Sequence, residues 1–472
     1  MIDTSAAYKT AILADFRQFV PKVEVYFDGD SQPPVEFNGD DIAGINLLEE
    51  LQAESDNPLG LVSANECTIV FDNSNRDFTP TNTSSPYFGK LKPYMLIKPY
   101  LGLILPDTSV EYIPLGIFRT GDWRSPAGSV EATVTSYDRI YQLGQKEVPM
   151  LAMVKNTSVA ELFAILFDAL GLDPDEYDIG VGLNDTIAMG YIPKGDVHAA
   201  LQYLAMAGGC TVKINRTGVI EVRSNFVIGD PDVTWTDTNQ VKWAENPMRE
   251  LDAYSKVRVN YKEPYLDPAE NLFAVNNFQV PNGGITFTNA EFTAGPVACV
   301  KQVRLIGAVN SEIVNIAYGA WTITIEISNI GPAEIVSLEV LASDVDFAGF
   351  DQTVEDNERV LEYGIKELLV DNNLIQTQDV ALRYANNLLQ YVSDPGTYFR
   401  TAVRGDPAVE TGDIVRIQDP SDKIGTVDVF PYRIALDFDG ALEETIEARK
   451  VVIPRIWAFI SPGLYVYVAK AV

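Results

Sequence analysis

Short segments in which apolar and polar residues alternate recur along this chain from Lys22 to about residue 450, and a period of two commits most of it to β-structure. The first places Val23, Val25 and Phe27 on one face and turns at Asp28-Gly29-Asp30. Others follow at CTIVFD (67–72), YMLIKPYLGLIL (94–105), EYIPLGIFRTGDW (111–123) and VEATVTSYD (130–138). Each has one apolar face to hide, which calls for an antiparallel barrel or a sandwich.

Helical spacing interrupts this pattern at a few places. Residues 5–17 read as a short helix with Ser5 as N-cap and Ala7, Ala11, Ile12 and Phe16 in a stripe narrow enough to imply docking on a partner surface. In NTSVAELFAILFDALG, Ser158 and Glu161 form a capping box, Val159, Leu162, Phe163, Leu166, Phe167 and Leu170 share a face, and Gly171 ends the helix. A second helix starts at Asp196, buries Val197, Ala200, Leu201 and Leu204, and stops at Gly208. CTVKINRTGVIEVRS then makes a hairpin through Asn215–Gly218. Strand character returns at SKVRVNYK (255–262), TITIEIS (322–328) and EIVSLEVLA (334–342). A further helix capped by Thr377 buries Ala381, Tyr384, Ala385, Leu388 and Leu389, and strands resume at YFRTAVRGDP and GDIVRIQD. The fold class is therefore α+β, mostly antiparallel β, and 472 residues exceed what one core accommodates.

Charge and composition narrow the function. With 66 acidic against 35 basic residues the net charge is -31, so the surface repels phosphate backbones and anionic headgroups. Sequence-specific nucleic-acid binding and a membrane anchor are not expected. The amino terminus carries acidic residues where a secretory signal needs basic ones, and the stretch closest to a membrane span, 456–472, is broken by Pro462 and Gly463. Cys67, Cys210 and Cys299 lie far apart and suit small buried hydrophobes better than a disulfide or zinc set.

No catalytic, cofactor-binding or metal residue is assigned. His198 is the one histidine, so neither Ser-His-Asp nor H-E-x-x-H chemistry can be written, and its role is structural. Gly180-Val181-Gly182 lacks the rest of a dinucleotide fingerprint. Asp344, Asp346, Gly349 and Glu355 match part of a calcium loop, but Ala348 stands where a ligand belongs, and a solvated acidic loop is expected. Tyrosines such as Tyr137 and Tyr384 fall on core-facing positions rather than on a sugar-binding surface.

Three local patterns resemble the hub family of phage tails, which spans baseplate hubs and tail-tip hubs. EVYFDGD with GLVSANECTIVFDNSNRDFTPTNTSSPYFGKLKPYMLIKPYLGL and EYIPLGIFRTGDW is similar to the family's first barrel. ALQYLAMAGGCTVKINRTGVIEVRS resembles its small peripheral domain, and RGDPAVETGDIVRIQD (404–419) its returning barrel segment, in which Gly405-Asp406-Pro407 and Gly412-Asp413 turn and Val409, Ile414, Val415 and Ile417 are buried.

This resemblance implies a helix at 1–20, a first tube-like β-barrel at 21–148 and a peripheral α+β domain at 149–236. A second tube-like barrel would come from 237–263 plus 401–450, and an inserted β-sandwich-like domain ending in a helix from 264–400. Beyond the resemblance, the extension 451–472 is too apolar to lie free in water and is expected to pack on a neighbouring subunit or a tip protein. The resemblance also implies a non-enzymatic virion protein, synthesised in the bacterial cytoplasm, whose homotrimer adapts a six-fold tube to a three-fold tip and serves host cell entry. Its partners would be tube-ring proteins, the tape-measure protein and a tail spike, fibre or tip protein, with acidic residues lining the channel. The family's occasional lytic domain would lie beyond the hub, and the chain stops at Val472. The rival readings are a tail-associated cell-wall hydrolase and a secreted glycan-binding adhesin.

Overall fold

The computed structural model describes residues 1–51, 60, 62–225, 230–246, 254–394, 398–419, 425–451, 457–461 and 464–467. Among them, one 14-stranded sheet dominates. Its path runs through Val241–Glu245, Tyr398–Val403, Leu442–Lys450, Gly425–Phe438, Ile42–Glu50, Glu66–Asp72, Glu131–Tyr137, Phe118–Arg124, Leu96–Ile104, Phe19–Val25 and Val35–Asn38. Val110–Pro114 joins beside Leu96–Ile104, while Val415–Asp419 pairs with Gly425–Phe438 and carries Val233–Thr236 in parallel.

The alternation read from the sequence is what the strands bury. Glu66–Asp72 hides Cys67, Ile69 and Phe71, and Glu131–Tyr137 hides Ala132, Val134 and Ser136. All of these but Ser136 join Ile45, Ile97 and Phe118 in a core belonging to the amino-terminal half of the sheet. The carboxy-terminal half has its own core of Trp235, Phe399, Val415, Ile434 and Ile446. The halves meet where Gly425–Phe438 pairs antiparallel with Ile42–Glu50, from Arg433 opposite Glu50 to Phe438 opposite Ile45. The stretch 111–123 is two strands rather than one, because Gly116 at φ 136° breaks it between Pro114 and Phe118.

Between the halves, helices Val159–Ala169 and Val197–Gly208 pack on a three-stranded sheet of Tyr177–Ile179, Ile220–Ser224 and Cys210–Ile214. The capping box is formed: Glu161 N donates to Ser158 Oγ at 3.2 Å and Ser158 N to Glu161 Oε2 at 3.1 Å. The second helix ends at Gly208 as expected, with Gly209 at φ 57° as its left-handed cap, and the absent side chain of Gly208 lets Val159, Leu183 and Cys210 close around it. A helix at Arg139–Gly144, capped by Asp138, is too short to show a period in the sequence.

Residues 254–394 build two more sheets. One has five strands, with Glu334–Glu355 paired to Glu270–Val280, Val297–Ile306 and Lys256–Leu266, and Glu367–Asp371 at its edge. The other orders Ile285–Glu291, Thr322–Asn329 and Ser311–Tyr318, and the two enclose Val280, Ile323, Ile325, Leu338 and Val340. Helix Gln378–Val392, capped by Thr377, covers the five-stranded sheet with Ala381, Tyr384, Ala385, Leu388 and Leu389.

Several expectations change. The strand at 255–262, expected beside 401–450, lies in the five-stranded sheet, while Val233–Thr236, expected with the α+β unit, joins the main one. Alternation identifies a strand's buried face and leaves its partner open. The acidic stretch 344–355 is no loop but the second half of the 22-residue strand Glu334–Glu355. Extended chain puts Asp344 and Glu355 on the order of 30 Å apart, too far to share an ion. Tyr384 is buried, whereas Tyr137 is half-exposed and stacks on Tyr141. The first helix is only Ala6–Ala11, Phe16 is 83% exposed, and the stripe of Tyr8, Ala11 and Ile12 docks on Leu103, Leu105, Ile113 and Ala408 of the same chain, not on a partner. At the far end, Trp457–Ser461 pairs with Leu464–Tyr467 as a hairpin, while Pro462 and Gly463 lie outside the described residues. No described helix is long and apolar enough to cross a membrane.

Candidate functional site

The densest gathering of buried charge lies where the two halves of the main sheet, the α+β unit and the amino-terminal helix converge on the loop between Tyr398–Val403 and Val415–Asp419. At its centre is Arg216, in the turn of the Cys210–Ile214 and Ile220–Ser224 hairpin and 1% exposed. Its Nε and an Nη donate to the two Glu49 carboxylate oxygens, each at 2.8 Å, in the bidentate geometry that suits a planar guanidinium. The other Nη donates to the Pro407 carbonyl, and the backbone N–H donates to Glu410 Oε1 at 2.8 Å. Glu49 belongs to the strand at the sheet seam, opposite Ile434, so one arginine ties the hairpin to the seam and to the 404–413 loop.

The loop is held from the other side by the amino-terminal segment. Tyr8 Oη donates to Asp406 Oδ1 at 3.0 Å, and Arg17 donates to the carbonyls of Gly405 and Arg404, each at 2.6 Å. Arg404 reaches back to the Asp15 carbonyl at 2.7 Å, and Ile2 N bonds Ala408 O at 2.8 Å. The Met1 amino group pairs with Asp413. Gly405, at φ 90°, packs where a Cβ would strike Leu442 at 2.7 Å, so the turn admits only glycine.

Burial sets the ionisation here. It pushes Glu444 up to about 8, with Oε2 accepting from Asp406 N at 2.8 Å and Oε1 without a partner among the described residues. Asp406 is likewise raised by burial. Burial alone would lower Arg216, but Glu49, Glu410 and Glu444 hold it above its ordinary value. Glu410 is buried too, yet Arg216 and Lys213 keep it below the usual carboxylate range. Nearby, burial lifts Asp138 to about 7 against the pull of three backbone donors, Asn65, Tyr141 and Ile140. The arrangement is a bolt. Apart from Glu444 Oε1, the side chains named here are engaged with one another or with the loop backbone, and what they fix is the relative placement of four parts of the chain.

Residues singled out in the sequence take modest places. His198 Nε2 lies 2.8 Å from the Val62 carbonyl and ties the second helix to the segment entering Glu66–Asp72. Gly180 bonds Val222 O as a strand end, and no group of three or more His, Cys, Asp or Glu placed to hold a metal occurs among the described residues. The three cysteines are free, Cys67 and Cys210 buried and Cys299 half-buried. The loop 404–413 was visible as turns, and Val409, Ile414, Val415 and Ile417 are buried as expected. Arg216, Glu49, Glu410, Glu444, Tyr8 and Arg17 carried no signal, because nothing in a lone polar residue announces a partner that sits from 38 to almost 400 positions away.

No family model matches the sequence, and no curated protein does. Solved structures share the fold. The 43 kDa tail protein of prophage MuSo2 from Shewanella oneidensis superposes at a TM-score of 0.50 and 11% identity, over 91% of this chain and 98% of that one. A tail protein from Neisseria meningitidis MC58 does so at 0.52 and 10%, over 93% and 98%. The fold is that of prophage tail proteins across nearly the whole chain, and the resemblance drawn from three local patterns holds at the level of architecture.

Proposed function

We propose that the chain is a structural protein of a phage-type tail, the homotrimeric hub that closes the distal end of the tube. One observation carries the reading: the main sheet consists of two halves, each with its own apolar core, joined edge to edge within a single polypeptide. Each half serves as one tube-like barrel unit, so three chains offer six units to a six-fold tube above while keeping three-fold symmetry below. The halves are unequal in strand number, which the reading accommodates as quasi-equivalence. The fold shared with prophage tail proteins supports the virion location.

The arginine-centred bolt suits this work, since a ring that bears load from the tape-measure protein and a spike or tip protein must keep its two barrel units at a fixed spacing. The net charge of -31 keeps a channel wall from holding DNA. The role is mechanical and the chain acts without catalysis. Reconstruction of tail particles carrying a tagged copy tests the proposal. Three copies at the distal end of the tube are expected, with a mass near three times 52.0 kDa for any assembled hub. Tagged density along the tube shaft or on the capsid would refute it, as would peptidoglycan hydrolysis by the purified chain.

A further inference from the structure

Away from the bolt, an open cleft of about 580 Å³ lies where the α+β unit, the inserted sheets and the edge strand Glu367–Asp371 meet. Its lining combines the partly exposed rings of Tyr203, Phe292 and Trp321, with the buried Tyr191 behind them, and the polar side chains of Asp371 and Asn373. We propose that this cleft binds a neutral pyranose oligosaccharide.

The rings are held before any ligand arrives. Trp321 Nε1 donates to the Ile192 carbonyl at 2.8 Å, and its ring meets that of Tyr191 edge to face at 5.8 Å. The hydroxyls of Tyr191 and Tyr203 are 3.1 Å apart, and Asn373 Nδ2 donates to Tyr191 at 3.1 Å. With the polar ends of these side chains tied down, binding orders little, which is the condition for useful affinity from a small contact. Rigid aromatic surface of this kind offers the C–H faces of a sugar ring a partner at low entropic cost.

The polar groups at the same cleft suit hydroxyl donors. Asn373 Oδ1 has no hydrogen-bond partner among the described residues, and the Asp371 carboxylate, 49% exposed, is shared only with Asn260 and Lys262 at 3.2 and 3.3 Å. An anionic ligand is disfavoured: the one lysine of the lining, Lys194, is already paired with Glu291 at 2.7 Å, and the lining also carries the Asp371 carboxylate. A purely apolar ligand would strand the Asp371 and Asn373 oxygens without water. Neutral rings bearing hydroxyls satisfy both halves of the lining.

This inference stands apart from the tail position proposed above, and either can fail alone. Chitotetraose and maltotetraose serve as probes, titrated into the full chain by saturation-transfer NMR and calorimetry, with inorganic phosphate as the anionic control. Binding of at least one sugar is expected. Trp321→Ala should weaken it about tenfold. Because that variant also loses a buried contact, Asp371→Ala provides a second, at an exposed position, and should weaken binding severalfold with an unchanged melting temperature. Trp243→Ala, which alters an exposed ring on the main sheet, should leave binding intact. If neither sugar binds, if phosphate binds instead, or if Asp371→Ala binds as tightly as the parent, the proposal is overturned.

Discussion

Arg216→Met is expected to cost the protein about 3–5 kcal/mol of stability, the penalty for leaving a buried charge without its partner. The substitution keeps most of the side-chain volume, so packing is not what fails. It strands Glu49, 2% exposed, with two carboxylate oxygens that lose both guanidinium donors, and it removes the donor to the Pro407 carbonyl. The double variant Arg216→Met with Glu49→Leu should recover much of the loss, because an apolar pair of similar volume replaces a buried ion pair at little net cost. Denaturant unfolding of the parent, the two single variants and the double variant measures the coupling between the residues. A loss of less than about 1 kcal/mol in Arg216→Met would show that water reaches the pair and that the bolt is not what fixes the sheet seam.

That residue also marks where sequence reading stops. The chain displays its strands because a half-buried strand must alternate, and it displays the helices at Val159–Ala169, Val197–Gly208 and Gln378–Val392 because each has a cap and a broad apolar face. The hairpin holding Arg216 was equally visible, with Asn215–Gly218 as its turn. Pairing between distant strands is another matter. Lys256–Leu266 and Val233–Thr236 look alike as sequence, yet one pairs with Glu334–Glu355 and the other with Val415–Asp419, since alternation carries no address. Ions behave the same way. Nothing in the sequence sets Arg216, Glu49 and Glu444 apart from the charged residues that usually stay at the surface, and only the closure of the fold brings their side chains inside it. The cleft aromatics Tyr191 and Trp321 were hidden for a related reason: they lie 130 positions apart and their rings converge only when the inserted sheets dock on the α+β unit.

Glu444 makes the same interior sensitive to pH, and in an unusual direction. Its carboxyl goes from an ordinary value of 4.5 in the unfolded chain to about 8 in the folded one, chiefly through burial, with Asp406 and Glu49 adding repulsion that Arg216 and the Asp406 N–H only partly offset. Between those values the folded chain holds a proton that the unfolded chain has released, so stability falls as pH rises through the window from about 4.5 to about 8. Asp138, moved from 3.8 to about 7, acts with the same sign. Carboxyls held below their ordinary values by cations, such as Asp30 beside Arg119 and Glu176 beside Arg139, act oppositely and lose their contribution only in acid. The stability maximum is therefore expected on the mildly acidic side of neutrality. Glu444→Gln keeps the shape and the acceptor for the Asp406 N–H while removing the proton, so it should match the parent near pH 5 and exceed it near pH 9 by on the order of 1–3 kcal/mol. A residual decline from Asp138 remains in the variant. Unfolding followed at both pH values decides the matter: a variant weaker than the parent by the same amount at each would mean that Glu444 contributes as a carboxylate paired with Arg216, and the neutral form at the heart of the junction would have to be abandoned.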